Sequence, residues 1–283
     1  MRRFILVTGA SSGIGESAGY AFTEAGYDVI FGVRQKRDAD RLLALDNTRI
    51  HPLIIDVTNE QSVKHAAEEV ENIIGESVLV AIINNAGIAT GGPLLYVPIE
   101  SWRYQLDVNV LGVVRVTQSF FPIMVKGLSQ QDGHPRRIIN MSSVSGLFAN
   151  PFLGPYAASK FALEAISDSL RRELYMYNIQ VILIEAGNIA TPIWAKAMVS
   201  PNYSGPEYDA ILKNRNNMVA RHQADALPLK VMDQLMLKTI QSKKVKVRYL
   251  IRRQKWKFNL MRWLPAKWTD LIIHKVLRAK SGV

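Results

Sequence analysis

A tyrosine followed four residues later by a lysine forms a pair that can do chemistry. Tyr156 and Lys160 lie in a segment with helical periodicity, and residues i and i+4 share one face of a helix. A phenol has a pKa of about 10, and a neighbouring ammonium lowers this pKa because it stabilises the phenolate. The pair could therefore act as a general acid or base, although lysine is common enough for such a pair to arise by chance.

Small polar residues lie where two predicted strands end, with Ser142 and Ser143 at the end of one and residues 84–87 (NNAG) at the end of the other. Ligands bind at the carboxyl ends of parallel strands, so the Ser143 hydroxyl could donate a hydrogen bond to a carbonyl oxygen. We expect Ser142 to cap a turn. Asn109 lies among apolar residues of a helical segment, where a buried amide needs a partner. A structural role and a catalytic role in holding water both remain open for Asn109.

A glycine-rich turn, TGASSGIG at residues 8–15, follows the first predicted strand directly and opens a helix. Its glycines leave no side chains in the way, so phosphates could approach backbone N–H groups at the positive end of that helix. The spacing is Gly-x3-Gly-x-Gly, which differs from the common dinucleotide fingerprint. The turn predicts dinucleotide binding, and the alternative is a turn that only allows close packing.

The end of the second predicted strand indicates which dinucleotide would bind. An NAD enzyme usually carries a carboxylate there, whereas this strand ends Val33-Arg34, with Lys36 and Arg37 nearby. Arg34 could meet a 2′-phosphate with a planar, permanently charged group. Solvated loop charges are the alternative. The pattern favours NADP(H) over NAD(H).

The elements that must position these residues alternate between strands and helices. The predicted strands are nearly continuous apolar runs, as in parallel strands covered on both faces, and helical periodicity runs through 13–25, 102–121 and 156–177. This order predicts an α/β fold, a Rossmann-type doubly wound parallel sheet in a single domain. A segment rich in Pro and Gly at 187–226 predicts a lid. The predicted strands are 4–8, 28–33, 50–55, 79–84, 137–142 and 180–185.

Composition and charge exclude several classes of protein. The 283 residues contain no cysteine, which excludes disulfides, zinc–thiolate sites and thiol catalysis, and we infer no metal site. The apolar stretch 4–7 is too short for a signal peptide or a membrane span, so we expect a cytoplasmic protein, with membrane association as the alternative. Of the net charge of +11, residues 243–283 carry +12 (13 Lys or Arg against Asp270), which leaves 22 basic and 23 acidic residues in 1–242.

The basic segment defines two regions of the chain, a catalytic domain at 1–245 and an extension at 246–283 that contains tryptophan. We expect the extension to form helices that pack on the domain or on a partner subunit, with the lysines and arginines in solvent. Contact with an anionic membrane surface is the alternative. No nucleic-acid recognition motif accompanies the charge, so we expect no nucleic-acid partner.

Together these motifs resemble the single-domain branch of the short-chain dehydrogenase/reductase family over roughly residues 3–195. Five segments in the order and spacing of the family carry the resemblance, namely TGASSGIG at 8–15, NNAG at 84–87, DVNVLG at 107–112, NMSSVSG at 140–146 and YAASK at 156–160. Residues 32–42 (GVRQKRDADRL) and 185–194 (EAGNIATPIW) are similar to the retinol and hydroxysteroid dehydrogenases. The family has Pro where this chain has Ala186, which should loosen the turn beside the nicotinamide.

The resemblance implies a role for each matching residue. Tyr156 would be the acid or base, Lys160 would lower the pKa of Tyr156 and bind the nicotinamide ribose, Ser143 would polarise the substrate oxygen, and Asn109 would hold a water. A homodimer or homotetramer is also implied. The implied cofactor contacts are Gly9, Ser11, Gly13 and Ile14 at the pyrophosphate, Arg34 at the 2′-phosphate, Asp56 and Val57 at the adenine, Asn84, Asn85, Ala86 and Gly87 at the adenosine side, and Gly187, Ile189 and Thr191 with Tyr156 and Lys160 at the nicotinamide end.

The expected function is hydride transfer between NADP(H) and a lipophilic alcohol or carbonyl of steroid, retinoid or ketone type. The substrate would contact Phe148, Phe152, Ile193, Trp194 and the lid, although the two phenylalanines could be ordinary packing residues. Two other hypotheses are a catalytically quiet NADP-binding sensor or scaffold, and a membrane-surface binder that uses the basic tail.

Overall fold

The computed structural model describes residues 1–126, 135–193, 208 and 225–281, with 278–281 described by backbone only. Its centre is a seven-stranded parallel sheet in the order β3-β2-β1-β4-β5-β6-β7. The six strands predicted from the sequence are all present, each within one residue of its predicted ends. The strands are β1 Arg3–Thr8, β2 Asp28–Val33, β3 Ile50–Ile54, β4 Val78–Asn84, β5 Arg136–Ser143, β6 Ile179–Ala186 and β7 Arg248–Ile251.

Helices cover both faces of the sheet, so the predicted doubly wound α/β fold is confirmed. One core buries Phe22 of α1 and Met236 of α7 against the sheet, and the other buries Val70 of α3 and Phe120 of α5. Continuously apolar strands are required because both faces are covered. The helices are α1 Gly13–Glu24, α2 Lys36–Leu43, α3 Glu60–Ile74, α4 Ile99–Leu106, α5 Gly112–Lys126, α6 Gly154–Glu173, α7 Leu229–Gln241, α8 Lys255–Trp263 and α9 Ala266–Ser281.

The strand order reverses at β1, which has β2 on one side and β4 on the other. In such sheets the connections leave β1 and β4 toward opposite faces, which opens a crevice at their carboxyl ends. The glycine-rich turn follows β1 and the NNAG turn follows β4, so the topology brings both turns to this crevice.

The seventh strand corrects the predicted boundary at residue 245. Arg248–Ile251 pairs with Leu183–Ala186 of β6, so the sheet continues into the predicted extension. The strand is only four residues long and follows a run of lysines, which hides its pattern from sequence analysis. The part of the extension outside the sheet consists of α8 and α9.

One helical stretch, Ile99–Lys126, is long and apolar enough to cross a membrane by length and composition, with a mean hydropathy of 1.4. It comprises α4, a π-helical turn at Asp107–Leu111, and α5. More than half of its apolar window is buried inside the protein, where Val116 and Phe120 pack in the core. Its hydrophobicity is therefore that of a helix that covers the sheet.

Candidate active site

A cleft of about 420 Å³ opens at the carboxyl ends of the strands, within the size range of small-molecule sites. The residues to which the sequence assigned cofactor contacts line this cleft, with the exception of Asn84, which is buried beneath it. The lining residues from that assignment are Gly9, Ser11, Gly13, Ile14, Arg34, Asp56, Val57, Asn85, Ala86, Gly87, Tyr156, Lys160, Gly187, Ile189 and Thr191.

The two turns at the floor of the cleft are held against each other. The hydroxyl oxygen of Thr8 accepts hydrogen bonds from the backbone N–H groups of Asn85 and Ala86, both at 3.1 Å. The Asn85 amide donates in return to the carbonyls of Thr8 and Gly9. A Cβ atom on Gly9 would lie 2.7 Å from the Ala86 Cα, so only glycine fits there. Thr8 was not singled out from the sequence.

The start of α1 fits the pyrophosphate of a dinucleotide. Ser12 precedes the helix and its side chain makes no capping hydrogen bond, and Gly13 has a φ of 64°. The first turn of α1 therefore presents backbone N–H groups and the positive end of the helix dipole to the cleft. Arg41 of α2 braces the turn because it donates to the carbonyl of Ser11 at 3.0 Å.

Arg34 lies on the wall of the cleft after β2, next to Tyr104. A guanidinium nitrogen of Arg34 donates to the Tyr104 hydroxyl at 3.0 Å. The nearby Lys36 pairs with Asp40 of its own helix at 2.9 Å and does not line the cleft. Asp56 is the one acidic residue among the described residues that line the cleft. Its carboxylate accepts hydrogen bonds from the backbone N–H and the hydroxyl of Thr58. The position that receives an acid in NAD enzymes holds Val33 instead.

Tyr156 and Ser143 converge in the cleft from α6 and β5. The Tyr156 side chain is buried and hydrogen-bonds the Ser143 side chain. Burial raises the pKa of the Tyr156 phenol, and the hydrogen bond to Ser143 opposes this only in part. From the sequence we expected a lowered pKa for Tyr156, because the charge of Lys160 stabilises the phenolate. The sequence does not show how deeply the phenol is buried, and burial has the larger effect.

Lys160 lies beside Tyr156, with its ammonium nitrogen 5.7 Å from the centre of the Tyr156 ring. The nitrogen donates to the carbonyl of Met141 at 2.7 Å. Burial lowers the pKa of Lys160 to about 8, and the nearby Glu164 carboxylate opposes this shift. Near neutral pH the ammonium is therefore the main form, with an appreciable neutral fraction.

The serines of β5 differ in their partners. Ser143 accepts a hydrogen bond from the Ser145 backbone N–H at 3.1 Å and hydrogen-bonds the Tyr156 phenol, and its role in polarising a substrate oxygen stays a prediction. Ser142 was expected to cap a turn. It is instead paired within β5, and its hydroxyl donates to Glu164 of α6 at 2.5 Å, a partner distant in sequence that no local pattern predicts.

Asn109 belongs to the π-helical turn and does not line the cleft. Its side-chain oxygen accepts from the Ile88 N–H, and its amide nitrogen donates to the Ile88 carbonyl, both at 2.9 Å. The same nitrogen donates to the Ser159 hydroxyl at 3.0 Å. Both amide hydrogens are used, so the side chain has a structural role and holds the NNAG loop against α6. The resemblance implies that Asn109 holds a water, and this role stays a prediction for the backbone atoms of Asn109.

The loop after β6 lies over the glycine-rich turn. A Cβ atom on Gly13 would lie 3.5 Å from Pro192 and 3.6 Å from Thr191. The loop begins at Gly187, whose N–H donates to the Ile251 carbonyl at 2.7 Å. Ala186 is paired to strands on both sides, so the sheet holds the start of the loop, and the looser turn expected from the absence of Pro stays a prediction.

The predicted substrate residues behave differently from one another. Ile193 lines the cleft and packs against Tyr156. Phe148 and Phe152 are half-buried and do not line it, and the ring of Phe152 lies 5.9 Å from that of Tyr208. Trp194 and most of the predicted lid (194–207 and 209–224) lie outside the described residues.

Known proteins share both this sequence and this fold. The profile of the short chain dehydrogenase family matches residues 3–200. The chain belongs to the short-chain dehydrogenase family. An NADPH-dependent 3-dehydrocapnine reductase of Ornithobacterium rhinotracheale is 36% identical over 278 residues, 98% of each chain. Mouse retinol dehydrogenase 5 is 35% identical over 191 residues, which cover 67% of this chain and 58% of that protein. A short-chain dehydrogenase structure from Streptomyces avermitilis superposes with a TM-score of 0.78 at 23% identity, covering 99% of this chain and 98% of that one.

Family membership makes this short-chain dehydrogenase an oxidoreductase with a nicotinamide-cofactor site. The glycine-rich turn, the start of α1 and Arg34 all line this one cleft, so they can contact a single ligand. The similarity to the reductase of Ornithobacterium rhinotracheale covers 98% of this chain and therefore includes most of the basic C-terminal region, beyond the 3–200 of the family profile.

Proposed function

We propose that this short-chain dehydrogenase uses NADPH to reduce the carbonyl group of a lipophilic ketone or aldehyde. The proposal rests on one observation, the convergence of the Ser143 hydroxyl and the Tyr156 phenol in the cleft next to the Lys160 ammonium. Two hydroxyls at one point can bind the same carbonyl oxygen. A nicotinamide bound in the cleft would supply the hydride.

The pKa of the phenol favours the direction of reduction. Because burial raises the pKa of Tyr156, the phenol is protonated at neutral pH and can donate its proton to a carbonyl oxygen that receives hydride. Ser143 would donate a second hydrogen bond to that oxygen and so stabilise the developing negative charge. The Lys160 ammonium would add positive charge beside the phenol and stabilise the phenolate that remains.

Arg34 supports NADPH as the cofactor. Its guanidinium lines the cleft directly after β2, next to Val33, which occupies the position where a carboxylate would select the ribose hydroxyl of NAD. An arginine–phosphate contact is charge-assisted and directional. The reductase from Ornithobacterium rhinotracheale is itself named as NADPH-dependent, which agrees with this assignment.

The walls near Tyr156 support a lipophilic substrate. Ile193 and Ala89 pack around the phenol, and these apolar side chains offer no charged group to a substrate at this point. Mouse retinol dehydrogenase 5, named for a lipophilic alcohol, is among the similar proteins. We therefore place the substrate among ketones, steroids, retinoids and long-chain aldehydes.

The test is a panel of these carbonyl compounds, assayed by the loss of reduced-nicotinamide absorbance with NADPH and NADH in parallel. Tyr156→Phe should lower kcat by a factor of roughly 10² to 10⁴, the usual contribution of an acid or base, while NADPH binding is retained. Tyr175→Phe is the matched control, because Tyr175 is 84% exposed and lies outside the cleft.

The alternative of a catalytically quiet NADP sensor gives a different result. Such a protein would bind NADPH with the same affinity in the parent and in Tyr156→Phe, and neither would turn over any member of the panel. Equal kcat values for an active parent and Tyr156→Phe would instead show that another group donates the proton.

A further inference from the structure

The two C-terminal helices leave several large apolar side chains in solvent. Their exposures include 65% for Trp256, 83% for Trp263 and 64% for Trp268, whereas tryptophan is highly buried on average in folded proteins. We call this set the tail face. It consists of Trp256, Leu260 and Trp263 on α8 and of Trp268, Leu271, Ile272 and Val276 on α9.

The tail face follows helical spacing, so each helix has one apolar side in solvent. On α8 the exposed residues fall at i, i+4 and i+7, and on α9 the residues 268, 272 and 276 fall at i, i+4 and i+8. Phe258 of α8 and Thr269 of α9 are buried. The Arg252 guanidinium also lies 4.6 Å from the centre of the Phe258 ring. Phe258 and Thr269 are therefore covered by other parts of the protein, whereas the residues of the tail face are not.

Positive charge surrounds the tail face. The five exposed basic residues on α8 and α9 whose side chains are described are Lys255, Lys257, Arg262, Lys267 and Lys275, and none forms a salt bridge with another described residue. Residues 243–283 carry 13 basic side chains and one acidic side chain, against 22 and 23 in the rest of the chain. The positive charge of the protein is therefore concentrated on the region that exposes the tryptophans.

The exposed apolar side chains and the positive charge together indicate which partner could cover the tail face. A second copy of the same face would bring two segments of charge +12 together, and like charges oppose that association. A nucleic acid would satisfy the charge but would leave the leucine and isoleucine side chains in water. An anionic lipid bilayer satisfies both, since its interior accepts apolar side chains, its interface favours tryptophan, and its headgroups attract lysine and arginine.

We propose that α8 and α9 dock this protein on the surface of a bilayer that contains anionic lipids, with the tail face in the interface and the basic side chains at the lipid phosphates. The start of α8 lies close to the cleft. Gly187 of the cleft wall packs against Arg252, and α8 begins three residues after Arg252. A lipophilic molecule dissolved in the bilayer would therefore meet the protein near its pocket.

The test is sedimentation of the full-length protein, without NADP(H) or substrate, with vesicles of phosphatidylcholine alone or mixed with phosphatidylglycerol. We expect binding to the mixed vesicles, with a blue shift of tryptophan fluorescence, and release as salt screens the charges. Because no turnover is measured, the result is independent of the proposed reduction. No binding to mixed vesicles at low salt would overturn the proposal.

Two variants separate the apolar from the electrostatic contribution. Trp256→Ser/Trp263→Ser/Trp268→Ser should abolish the fluorescence shift and most binding, and Lys257→Gln/Lys267→Gln should weaken binding roughly tenfold or more. The control, Tyr175→Ser/Met176→Gln, removes side chains that are 84% and 80% exposed elsewhere and should bind like the parent. Thermal unfolding checks that each variant is folded.

Two outcomes would rule out insertion of the tail face into the bilayer. If light scattering shows that the tryptophan variant turns an oligomer into a monomer while the parent ignores vesicles, the occupant is a second copy of the chain. If the variant binds mixed vesicles as tightly as the parent, the tail face is not inserted. Either result contradicts docking through these helices.

Discussion

The Nε atom of Arg248 lies 3.1 Å from a carboxylate oxygen of Glu164. Glu164 lies on α6, one helical turn after Lys160. Arg248 also contacts Asp168 at 3.0 Å and Glu185 at 3.5 Å. Glu185 is buried, and burial together with the charge of Glu164 raises its pKa. The last strand of the sheet thus supplies the positive charge that balances a group of carboxylates behind the catalytic cleft.

Glu164 should set the alkaline limit of activity through Lys160. The pKa of Lys160 is about 8 and is kept from falling further by the Glu164 carboxylate. If reduction needs the ammonium, the rate of the parent should fall as pH rises through about 8. Glu164→Gln removes the charge that favours the ammonium, so the fall should occur at lower pH. The measurement is kcat/KM for a carbonyl substrate against pH.

The control for this prediction is Glu173→Gln, an exposed carboxylate at the end of the same helix, whose profile should match that of the parent. An unchanged or more alkaline midpoint for Glu164→Gln would show that Glu164 does not act on Lys160. Restoration of the parental profile by Glu164→Asp would support an electrostatic effect over a packing effect.

Removal of Arg248 should destabilise the fold. Arg248→Met leaves Glu164 and Glu185 close together without their shared cation, and breaking a buried ion pair is strongly destabilising. Because the Arg248 side chain is 35% exposed, solvent reduces the effect, and we expect a loss of about 2 kcal/mol in the free energy of unfolding. Urea denaturation measures this. Arg253→Met, whose partner Asp225 is 3.8 Å away and exposed, should change stability by less than about 0.5 kcal/mol.

Gly9 should tolerate no side chain. Gly9→Ala places a Cβ 2.7 Å from the Ala86 Cα and forces alanine to a φ of 65°, so the two turns must separate. We expect at least a tenfold loss of NADPH affinity, measured by fluorescence titration. Gly26→Ala is matched in having a positive φ of 89° but no atom within 4 Å. It should lose roughly 1 kcal/mol of stability and keep NADPH affinity, and equal affinity losses in both variants would argue against the clash.

Arg34 should determine the preference between the two nicotinamide cofactors. Arg34→Leu removes a charge-assisted contact, which is worth about 1.5–3 kcal/mol, so KM for NADPH should rise roughly 10- to 100-fold while KM for NADH stays nearly constant. Lys36→Leu is the control, because Lys36 pairs with Asp40 outside the cleft. Faster turnover of the parent with NADH than with NADPH would contradict the assignment of Arg34.

The sequence alone determined the order of the first six strands and most of the residues that line the cleft. Six apolar runs predicted six strands because parallel strands covered on both faces leave no place for polar residues. The glycine turn, Tyr156 and Lys160 could be found because local spacing expresses their chemistry. Ser143 could be placed at the cleft because it ends a strand, and the carboxyl ends of parallel strands meet at one edge of the sheet.

Only the tertiary structure decided what depends on contacts between distant segments. The pKa of Tyr156 follows from its burial, and the partners of Asn109 are backbone atoms of a loop about 20 residues away, which no local pattern encodes. Arg248 joins the Lys160 region across 84 residues through a strand too short to recognise. The tail face is visible only after folding, because the sequence shows that tryptophans are present but not which side of each helix the rest of the protein covers.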